Sequence, residues 1–260
     1  MKVVLFCGGQ GMRLREYNDH VPKPMVPIGY RPILWHVMRY YAHFGHRDFI
    51  LCLGYRGDVI KDYFLKYSEA LTNDFVLTDG GRNIELLGAD ISDWRVTFAE
   101  TGAQANIAQR LLAVRKYIGD DGVFLANYSD GLTDLPLSEQ LADFSQSGKI
   151  AGFVCARPHV SYHFVTLRSD GAIDRMQTAA ESNLRINGGY FAFRREVFDY
   201  IRDGEELVVE PFRRLAAADQ LRAYPYDGFW MSMDTFKEKQ ALDEMYSRGT
   251  PPWQVWSRQT

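Results

Sequence analysis

The stretch KVVLFCGGQGMRLREYNDHVPKPM, residues 2–25, places three glycines directly after an apolar run. The run ends at Cys7 and predicts a buried β-strand. Gly8, Gly9 and Gly11 have no Cβ and adopt unusual φ values at little cost, so their backbone N–H groups can approach an anion closely. Phosphate is the usual ligand of such a turn. The sequence therefore predicts a phosphate-binding loop after the first strand.

Two basic residues accompany these glycines. Arg13 would bring a fork of donors beside the loop, and Lys23 is a point charge between two prolines that restrict its backbone. This combination suits a triphosphate. The spacing GGxGxR matches neither GxGxxG nor the P-loop pattern, which disfavours a dehydrogenase and a simple P-loop NTPase. The alternative is a surface turn with incidental basic residues.

The composition is that of an ordinary soluble globular protein. The 260 residues are 46% hydrophobic and 24% charged, with a formal net charge of -3. A nucleic-acid binder would need a basic excess, and no apolar run approaches the roughly 20 residues of a membrane span. We therefore expect a cytoplasmic protein that binds neither nucleic acid nor membrane. Cys7, Cys52 and Cys155 lie far apart in apolar runs, which predicts buried structural thiols.

Strand-like and helical patterns alternate through the first 149 residues. Apolar runs such as DFILCLG and VFLANY alternate with helical spacing in RPILWHVMRYYAHFG and IAQRLLAVRKYI. This predicts an α/β fold with a mostly parallel mixed sheet and helices on both faces. Ligands of such sheets bind beyond the carboxyl ends of the strands. After Lys149 come short strands, a hairpin signal SDG at 169–171, and a final helix from about Asp234 to Tyr246.

Recognisable motifs continue in order along almost the whole chain. They are VPKPMVPIG at 21–29, RPILWHVM at 31–38, DFILCLGYRGDVIKDYF at 48–64, ETG at 100–102, QRL at 109–111, YSDG at 128–131, INGGYF at 186–191, GFWMSMDT at 228–235 and PPWQVW at 251–256. With GGxGxR, this series resembles the sugar-1-phosphate nucleotidylyltransferases, and among them most closely the glucose-1-phosphate cytidylyltransferases. The resemblance implies a Rossmann-like nucleotidyltransferase fold, a magnesium ion and a homo-oligomer. It also implies that a nucleoside triphosphate, with CTP favoured, and a sugar 1-phosphate give a nucleotide sugar and pyrophosphate.

The resemblance also assigns roles to individual residues. It implies catalytic Arg13 and Lys23, nucleotide-binding Gly8, Gly9, Gly11, Met12, Thr101, Gly102 and Arg110, acceptor-binding Asn187, Gly188 and Trp230, and metal-binding Asp130 and Asp234. We expect one domain over residues 1–260, with 1–149 binding mainly the nucleotide and 150–260 mainly the acceptor. Alternatives stay open for single residues, since Arg110 could be a solvated arginine and Trp230 a core residue.

The two aspartates have a chemical reason to be ligands as well as a resemblance. Asp130 follows the apolar strand VFLANY, at the end where a ligand site belongs, and Asp234 lies at the start of the last helix. Magnesium prefers one or two carboxylates together with water and phosphate oxygens. Taken singly, Asp130 could instead form a turn with Gly131, and Asp234 could cap a helix. Met12 stands where the family commonly has a threonine, so a phosphate contact there would fall to its backbone N–H.

The acceptor side departs from the family pattern. The family usually carries EKP shortly before the asparagine-glycine pair, with the lysine meeting the sugar phosphate, but here the stretch is QTAAESNLR at 177–185. An RFG-like segment is also replaced, around SYHFVTL at 161–167. Losing such a cation typically costs about 2–5 kcal/mol. The nearby cations that could replace it are Arg157, His159, His163, Arg175 and Arg185.

Three accounts of function remain open. One of these cations could supply the missing charge, with glucose 1-phosphate as the acceptor. Alternatively, the acceptor could be another phosphorylated sugar or a non-sugar phosphate, or the nucleotide could differ from CTP. A third account, from another class, is a catalytically silent module that binds nucleotide without releasing pyrophosphate.

Overall fold

A computed structural model describes residues 1–9, 21–158, 163–179 and 181–257. Gly11, Met12 and Arg13, which the sequence places in the phosphate loop, lie outside the described residues, as does His159. The described residues form the following strands and helices. The strands are β1 (Lys2–Phe6), β2 (Pro27–Ile28), β3 (Arg31–Pro32), β4 (Asp48–Leu53), β5 (Phe75–Thr78), β6 (Asn83–Leu86), β7 (Arg95–Glu100), β8 (Val123–Asn127), β9 (Gly131–Thr133), β10 (Ala151–Ala156), β11 (His163–Leu167), β12 (Ile173–Thr178), β13 (Ile186–Arg194), β14 (Leu221–Tyr226) and β15 (Trp230–Ser232). The α-helices are α1 (Ile33–His43), α2 (Gly57–Leu65), α3 (Ile107–Ile118), α4 (Leu137–Ser147), α5 (Glu210–Ala217) and α6 (Phe236–Ser247).

A seven-stranded sheet in the order β14-β10-β13-β8-β1-β4-β7 forms the centre of the described structure. β13 runs antiparallel to both of its neighbours, and the other adjacent strands are parallel. The predicted mostly parallel mixed sheet is therefore confirmed. As a result, the carboxyl ends of β1, β4, β7, β8, β10 and β14 lie along one edge together with the amino end of β13. We call this edge the carboxyl edge.

The continuous apolar strands bury both of their faces. Successive side chains of a strand point to opposite faces, so Val3 and Leu5 belong to one core cluster, and Val4 and Phe6 belong to another. Residues of α1 and α6 pack in the first cluster, and residues of α3 and α5 pack in the second. Helices therefore cover both faces, as predicted.

The cysteines are free, as the sequence predicts. Cys7 and Cys52 are buried, and Cys155 is half-buried. Burial raises the pKa of Cys7 to about 12, although a hydrogen bond with Ser129 acts in the opposite direction. A thiol with that pKa stays protonated near neutral pH, so Cys7 packs as a small apolar residue rather than acting as a nucleophile.

The second half of the chain extends the sheet that the first half begins. β10, β13 and β14 join the strands of the first half, while β11 and β12 form a separate hairpin. The predicted turn at 169–171 closes that hairpin, with Gly171 at a φ of 84°. The division into a nucleotide part and an acceptor part stays a prediction. No helix within the described ranges is long and apolar enough to cross a membrane.

Candidate active site

The start of the glycine loop rests on a buried arginine. Arg110, on α3, is 2% exposed. It donates from Nη2 to the Gly8 carbonyl at 3.0 Å, and from Nη1 to the Leu53 carbonyl at 3.1 Å and to Thr101 Oγ1 at 2.7 Å. One guanidinium thus joins the ends of β1, β4 and β7. The structure brings Gly8, Thr101 and Arg110 together. The contact with the Gly8 carbonyl lets Arg110 support the start of the glycine loop.

Two glycines make room for this guanidinium. A Cβ on Gly8 would overlap the Arg110 side chain. A Cβ on Gly54, directly after β4, would lie 2.8 Å from Arg110 Nη1 and 2.9 Å from the Gly8 carbonyl oxygen. Sequence analysis missed Gly54. Its position immediately after a predicted strand, at the same edge as Gly8, was the available signal.

A strained turn after β8 presents Asp130. Ser129 has a φ of 65°, in the left-handed region, where a residue other than glycine costs about 1–3 kcal/mol. Its backbone N–H donates to Asn127 Oδ1 at 2.7 Å, and its hydroxyl donates to the Phe6 carbonyl at 2.8 Å. These contacts tie the turn to the end of β1. The sequence did not predict this role of Ser129, because nothing in YSDG at 128–131 distinguishes the left-handed conformation from an ordinary turn.

Strand pairing brings Asp234 to the same place. β9 and β15 pair antiparallel with Gly131 opposite Ser232, and the Met233 N–H donates to the Asp130 carbonyl at 2.9 Å. Asp234 is the next residue. Thr235 then caps α6, and Glu238 accepts from the Asp234 N–H at 2.7 Å. The two aspartates are 104 positions apart in the chain, and one short ladder and one helix cap bring them together.

Lys23 joins the two aspartates. Its Nζ donates to Asp130 Oδ2 at 2.6 Å and to Asp234 Oδ1 at 2.7 Å. Pro22 is extended, and a 3₁₀ turn over Lys23–Met25 follows it, which fixes the root of the side chain. We call these three residues the acidic cluster, because two carboxylates and one ammonium leave a formal charge of one negative unit. Of the four residues that the sequence assigns to metal binding and catalysis, Lys23 contacts both aspartates, and Arg13 lies outside the described residues.

Burial and mutual contact shift two of these groups. Burial raises the pKa of Asp130 above its ordinary value, with Lys23 opposing this effect and Asp234 adding to it. Burial alone would lower the pKa of Lys23, but Asp130 and Asp234 outweigh burial and raise it. Lys23 therefore stays charged at neutral pH. A further cation next to Asp130 would stabilise its ionised form.

The acidic cluster fits a divalent cation. Asp130 Oδ2 and Asp234 Oδ1 both accept from the same atom, Lys23 Nζ, so the two carboxylates face one point. Ser232 Oγ donates to the other Asp234 oxygen at 2.8 Å and orients that carboxylate. No group of three or more Cys, His, Asp or Glu side chains with metal-binding spacing occurs among the residues that the structure describes. Magnesium is usually bound by one or two carboxylates together with water and phosphate oxygens, and only rarely by protein ligands alone.

The predicted acceptor residues also lie together. Asn187 Nδ2 donates to the Tyr128 hydroxyl at 3.2 Å, and Trp230 Nε1 donates to the Gly188 carbonyl at 2.8 Å. A Cβ on Gly188 would lie 3.1 Å from Trp230 Nε1, so a larger residue there would require the indole to shift by a few tenths of an ångström. Trp230 is 7% exposed and belongs to the core. Its packing role is visible, and its stacking on an acceptor stays a prediction.

Comparison with known proteins identifies the family. The family model for "Nucleotidyl transferase" matches residues 2–236. This chain belongs to the nucleotidyl transferase family. It is 38% identical over 258 residues to the "Probable glucose-1-phosphate cytidylyltransferase" of Bacillus subtilis, and 35% identical over 257 residues to the "Glucose-1-phosphate cytidylyltransferase" of Salmonella typhimurium. Each match covers 98% of this chain and 100% of the relative.

A solved structure supports the same fold. HddC from Yersinia pseudotuberculosis superposes with a TM-score of 0.65 at 18% identity, and the match covers 94% of this chain and 99% of that one. At that identity the likeness concerns the fold alone. The expected Rossmann-like nucleotidyltransferase architecture is therefore confirmed.

The candidate cations of this nucleotidyl transferase lie in two places. His163 and Arg175 are exposed on the β11–β12 hairpin. Arg157 follows β10 and Arg185 precedes β13, so both lie at the carboxyl edge. The hairpin pair makes no described contact with the predicted acceptor residues, whereas Arg185 is two residues from Asn187.

Proposed function

We propose that this nucleotidyl transferase is a magnesium-dependent cytidylyltransferase that converts CTP and glucose 1-phosphate to CDP-glucose and pyrophosphate. The observation that carries the proposal is the contact of Lys23 with Asp130 and Asp234 beside the glycine loop. The names of the two relatives over their full length support the choice of CTP and of glucose 1-phosphate.

The reaction needs no general base and no covalent nucleophile. A phosphate monoester with a second pKa near 6 is mostly a dianion at neutral pH, so one of its oxygens can attack the α-phosphorus directly. A bond forms between that oxygen and the α-phosphorus, and the bond from the α-phosphorus to the bridging oxygen of the β-phosphate breaks. The electron pair of the broken bond leaves with pyrophosphate. Alignment of two anions and neutralisation of the moving charge then limit the rate.

The described residues divide these tasks. The N–H groups around Gly8 and Gly9 would bind triphosphate oxygens, and Arg110 holds the loop that carries them. Asp130 and Asp234 would hold the magnesium ion, which, when bound, supplies positive charge to the phosphate oxygens. Lys23 would then turn from the carboxylates toward the same phosphates.

A different acceptor is the second candidate. The lysine of the family's EKP is missing at 177–185, so a different phosphorylated compound could take the place of glucose 1-phosphate. A cytoplasmic location suits either reaction and stays a prediction.

We also propose a homo-oligomer. The hairpin of β5 and β6 exposes Phe75, Leu77, Ile84 and Leu86, each at least 41% exposed. A two-stranded ribbon is marginally stable alone, and exposed apolar patches of this kind often mark interfaces. A second copy of the chain is the expected occupant. Light scattering after gel filtration should give a mass of at least twice 29.9 kDa, and a monomer would contradict the proposal.

The function is tested by measuring pyrophosphate release. The purified protein would be incubated with each of the four nucleoside triphosphates and a panel of phosphorylated acceptors, with magnesium present or chelated. CTP with glucose 1-phosphate and magnesium should give the highest rate. Equal rates with all four nucleotides would contradict the cytidylyl assignment. Nucleotide binding without any pyrophosphate release would favour the silent module.

A further inference from the structure

Two arginines at the carboxyl edge share one aspartate. Arg157 Nε donates to Asp227 Oδ1 at 2.7 Å, and Arg185 Nη2 donates to the same oxygen at 2.9 Å. We call these three residues the basic cluster, because two guanidiniums and one carboxylate leave one positive unit. By contrast, Arg222 with Asp143 and Arg195 with Asp120 form pairs of equal and opposite charge.

The basic cluster lies beside the predicted acceptor residues. Arg157 follows the end of β10, Asp227 follows the end of β14, and Arg185 precedes β13. β13 lies between β10 and β8, the strand that leads to Asp130. Neighbouring strands are about 4.8 Å apart, so the ends of β10 and β8 are roughly 10 Å apart. Long arginine side chains can cover part of that distance. The cluster is therefore on the acceptor side of the acidic cluster and along the same edge.

Arg185 is fixed and yet retains donors for a ligand. Its Nη1 donates to the carbonyls of Cys155 and Tyr226 at 3.2 and 3.1 Å, which holds the guanidinium against the ends of β10 and β14. A guanidinium has five N–H donors. Among the residues that the structure describes, none accepts a hydrogen bond from the Nε–H or from the second Nη2–H of Arg185. A half-exposed, fixed fork of this kind suits the bidentate binding of a phosphate.

Arg157 packs against the segment in which this chain departs from the family pattern. Its Nη1 donates to the Ser182 carbonyl at 3.3 Å. Ser182 is buried, and its N–H donates to the Thr178 carbonyl at 3.1 Å, which links Ser182 to the end of β12. The segment that follows β12 therefore has no lysine of its own. Instead, its Ser182 carbonyl accepts a hydrogen bond from Arg157, which follows β10.

We propose that Arg157 and Arg185 bind the phosphate dianion of the acceptor. The ligand class is a phosphate monoester, and the site takes the charge that the missing lysine would have supplied. The inference depends on the proposed function for its place in the reaction, but the binding of phosphate by the two arginines can be measured without turnover.

The kinetic test compares Arg157→Gln, Arg185→Gln and the double variant with wild type. Each single change should raise the KM for the acceptor at least tenfold, and the double change should raise it further. The KM for CTP should stay within twofold. Arg185→Lys keeps the charge but loses the fork, so its acceptor KM should lie between those of wild type and Arg185→Gln. Arg222→Gln, which removes an arginine from an ordinary surface pair, is the matched control and should leave both constants unchanged.

Calorimetry measures the binding of glucose 1-phosphate to each variant without turnover. The titration is then repeated in the presence of inorganic phosphate. Wild type and Arg222→Gln should bind glucose 1-phosphate, and the double variant should bind it at least tenfold more weakly. Inorganic phosphate should compete with glucose 1-phosphate in wild type and in Arg222→Gln but not in the double variant.

The outcomes separate the inference from the proposed function. Unchanged acceptor KM and unchanged glucose 1-phosphate binding in the double variant would overturn the inference, even if the enzyme makes CDP-glucose. If wild type shows no turnover with any nucleotide, the proposed function fails, and the calorimetry still decides the inference. Unfolding temperatures would accompany every variant. If Arg185→Gln unfolds because its carbonyl contacts are lost, Arg157→Gln and Arg185→Lys decide the result.

Discussion

The acidic and basic clusters are built alike and have opposite charge. In the acidic cluster, Lys23 contacts Asp130 and Asp234, whereas in the basic cluster Asp227 contacts Arg157 and Arg185. The central residue is 14% exposed in the first and 60% exposed in the second. The first cluster is therefore mostly buried with a net charge that suits a cation, and the second is open with a net charge that suits an anion.

Under the proposed function, this difference lets one edge bind two anionic substrates, one through a metal ion at the acidic cluster and one at the basic cluster. Exposed ion pairs typically contribute only about 0–1 kcal/mol to stability, and removal of one partner from a buried pair is far more costly. Changes in the basic cluster should accordingly affect binding with little effect on folding. Changes in the acidic cluster should affect catalysis and, to a degree, the local fold.

The largest effect is expected from breaking the acidic cluster. Asp130→Asn should lower kcat/KM at least about a hundredfold, or roughly 2.7 kcal/mol, because it removes a proposed metal ligand and a partner of Lys23. Asp121→Asn, which removes the partner of Lys2 at the opposite end of β1, should change kcat/KM less than twofold. A wild-type rate for Asp130→Asn would remove Asp130 from the mechanism.

Replacing Lys23 sharpens the comparison, because activity and metal binding should move in opposite directions. Lys23→Met should lower kcat at least tenfold, or about 1.4 kcal/mol. It should also tighten the binding of Mn²⁺, measured by calorimetry or electron paramagnetic resonance, since the ammonium competes with the ion for both carboxylates. Lys149→Met, in an ordinary pair with Asp219, is the control. Weaker Mn²⁺ binding in Lys23→Met would show that the lysine organises the carboxylates rather than competing with the ion.

The glycine loop belongs to neither cluster and provides a third comparison. Gly8→Ala should raise the KM for CTP several-fold and lower the unfolding temperature, because the new Cβ would collide with Arg110. Gly122→Ala is the matched control, since no atom in the described ranges lies within 4 Å of its added Cβ. Equal effects in the two variants would mean that Arg110 moves aside without consequence.

The last effect is a pH dependence of folding that comes from neither cluster. Burial lowers the pKa of His36 to about 4, despite an opposing hydrogen bond with the Ile28 carbonyl. The ordinary value is about 6.5, so the unfolded chain takes up a proton first as pH falls. The contribution of His36 to stability is complete above about pH 6.5, and it declines by up to about 1.4 kcal/mol per pH unit down to pH 4.

Urea unfolding between pH 4 and 7 measures this contribution. His36→Gln, which cannot titrate, should flatten that part of the profile relative to wild type. His43→Gln is the comparison: burial and Arg39 also lower the pKa of His43, but His43 is more exposed on the same helix, so its replacement should flatten the profile less. An unchanged slope in His36→Gln would assign the pH dependence to other groups.

Sequence reasoning reached the acidic cluster and missed the basic one for physical reasons. Asp130 and Asp234 each stand directly beside an element that the hydrophobic pattern predicts, so the order of strands places them at one edge. Asp227 is 70 residues from Arg157 and 42 from Arg185, and no local pattern links them. The arginines were named as candidates by position alone.

Local conformation was equally out of reach. The strands and helices of the sheet were predictable because apolar periodicity repeats along each of them. The left-handed φ of Ser129 and the burial of Arg110 depend on tertiary contacts with Phe6, Leu53 and Gly8. The sequence did not predict the ribbon of β5 and β6, because its apolar residues face solvent. Without a buried face, no alternation of apolar and polar residues is needed along these strands.

The most direct test measures two ligands on two variants. Calorimetry would determine the binding of Mn²⁺ and of glucose 1-phosphate to Asp130→Asn and to the Arg157→Gln, Arg185→Gln double variant. If the two clusters are separate cation and anion sites, Asp130→Asn should lose Mn²⁺ binding and keep glucose 1-phosphate binding. The double variant should keep Mn²⁺ binding and lose glucose 1-phosphate binding. Loss of both ligands in either variant, or of neither in both, would contradict the separation of the two sites.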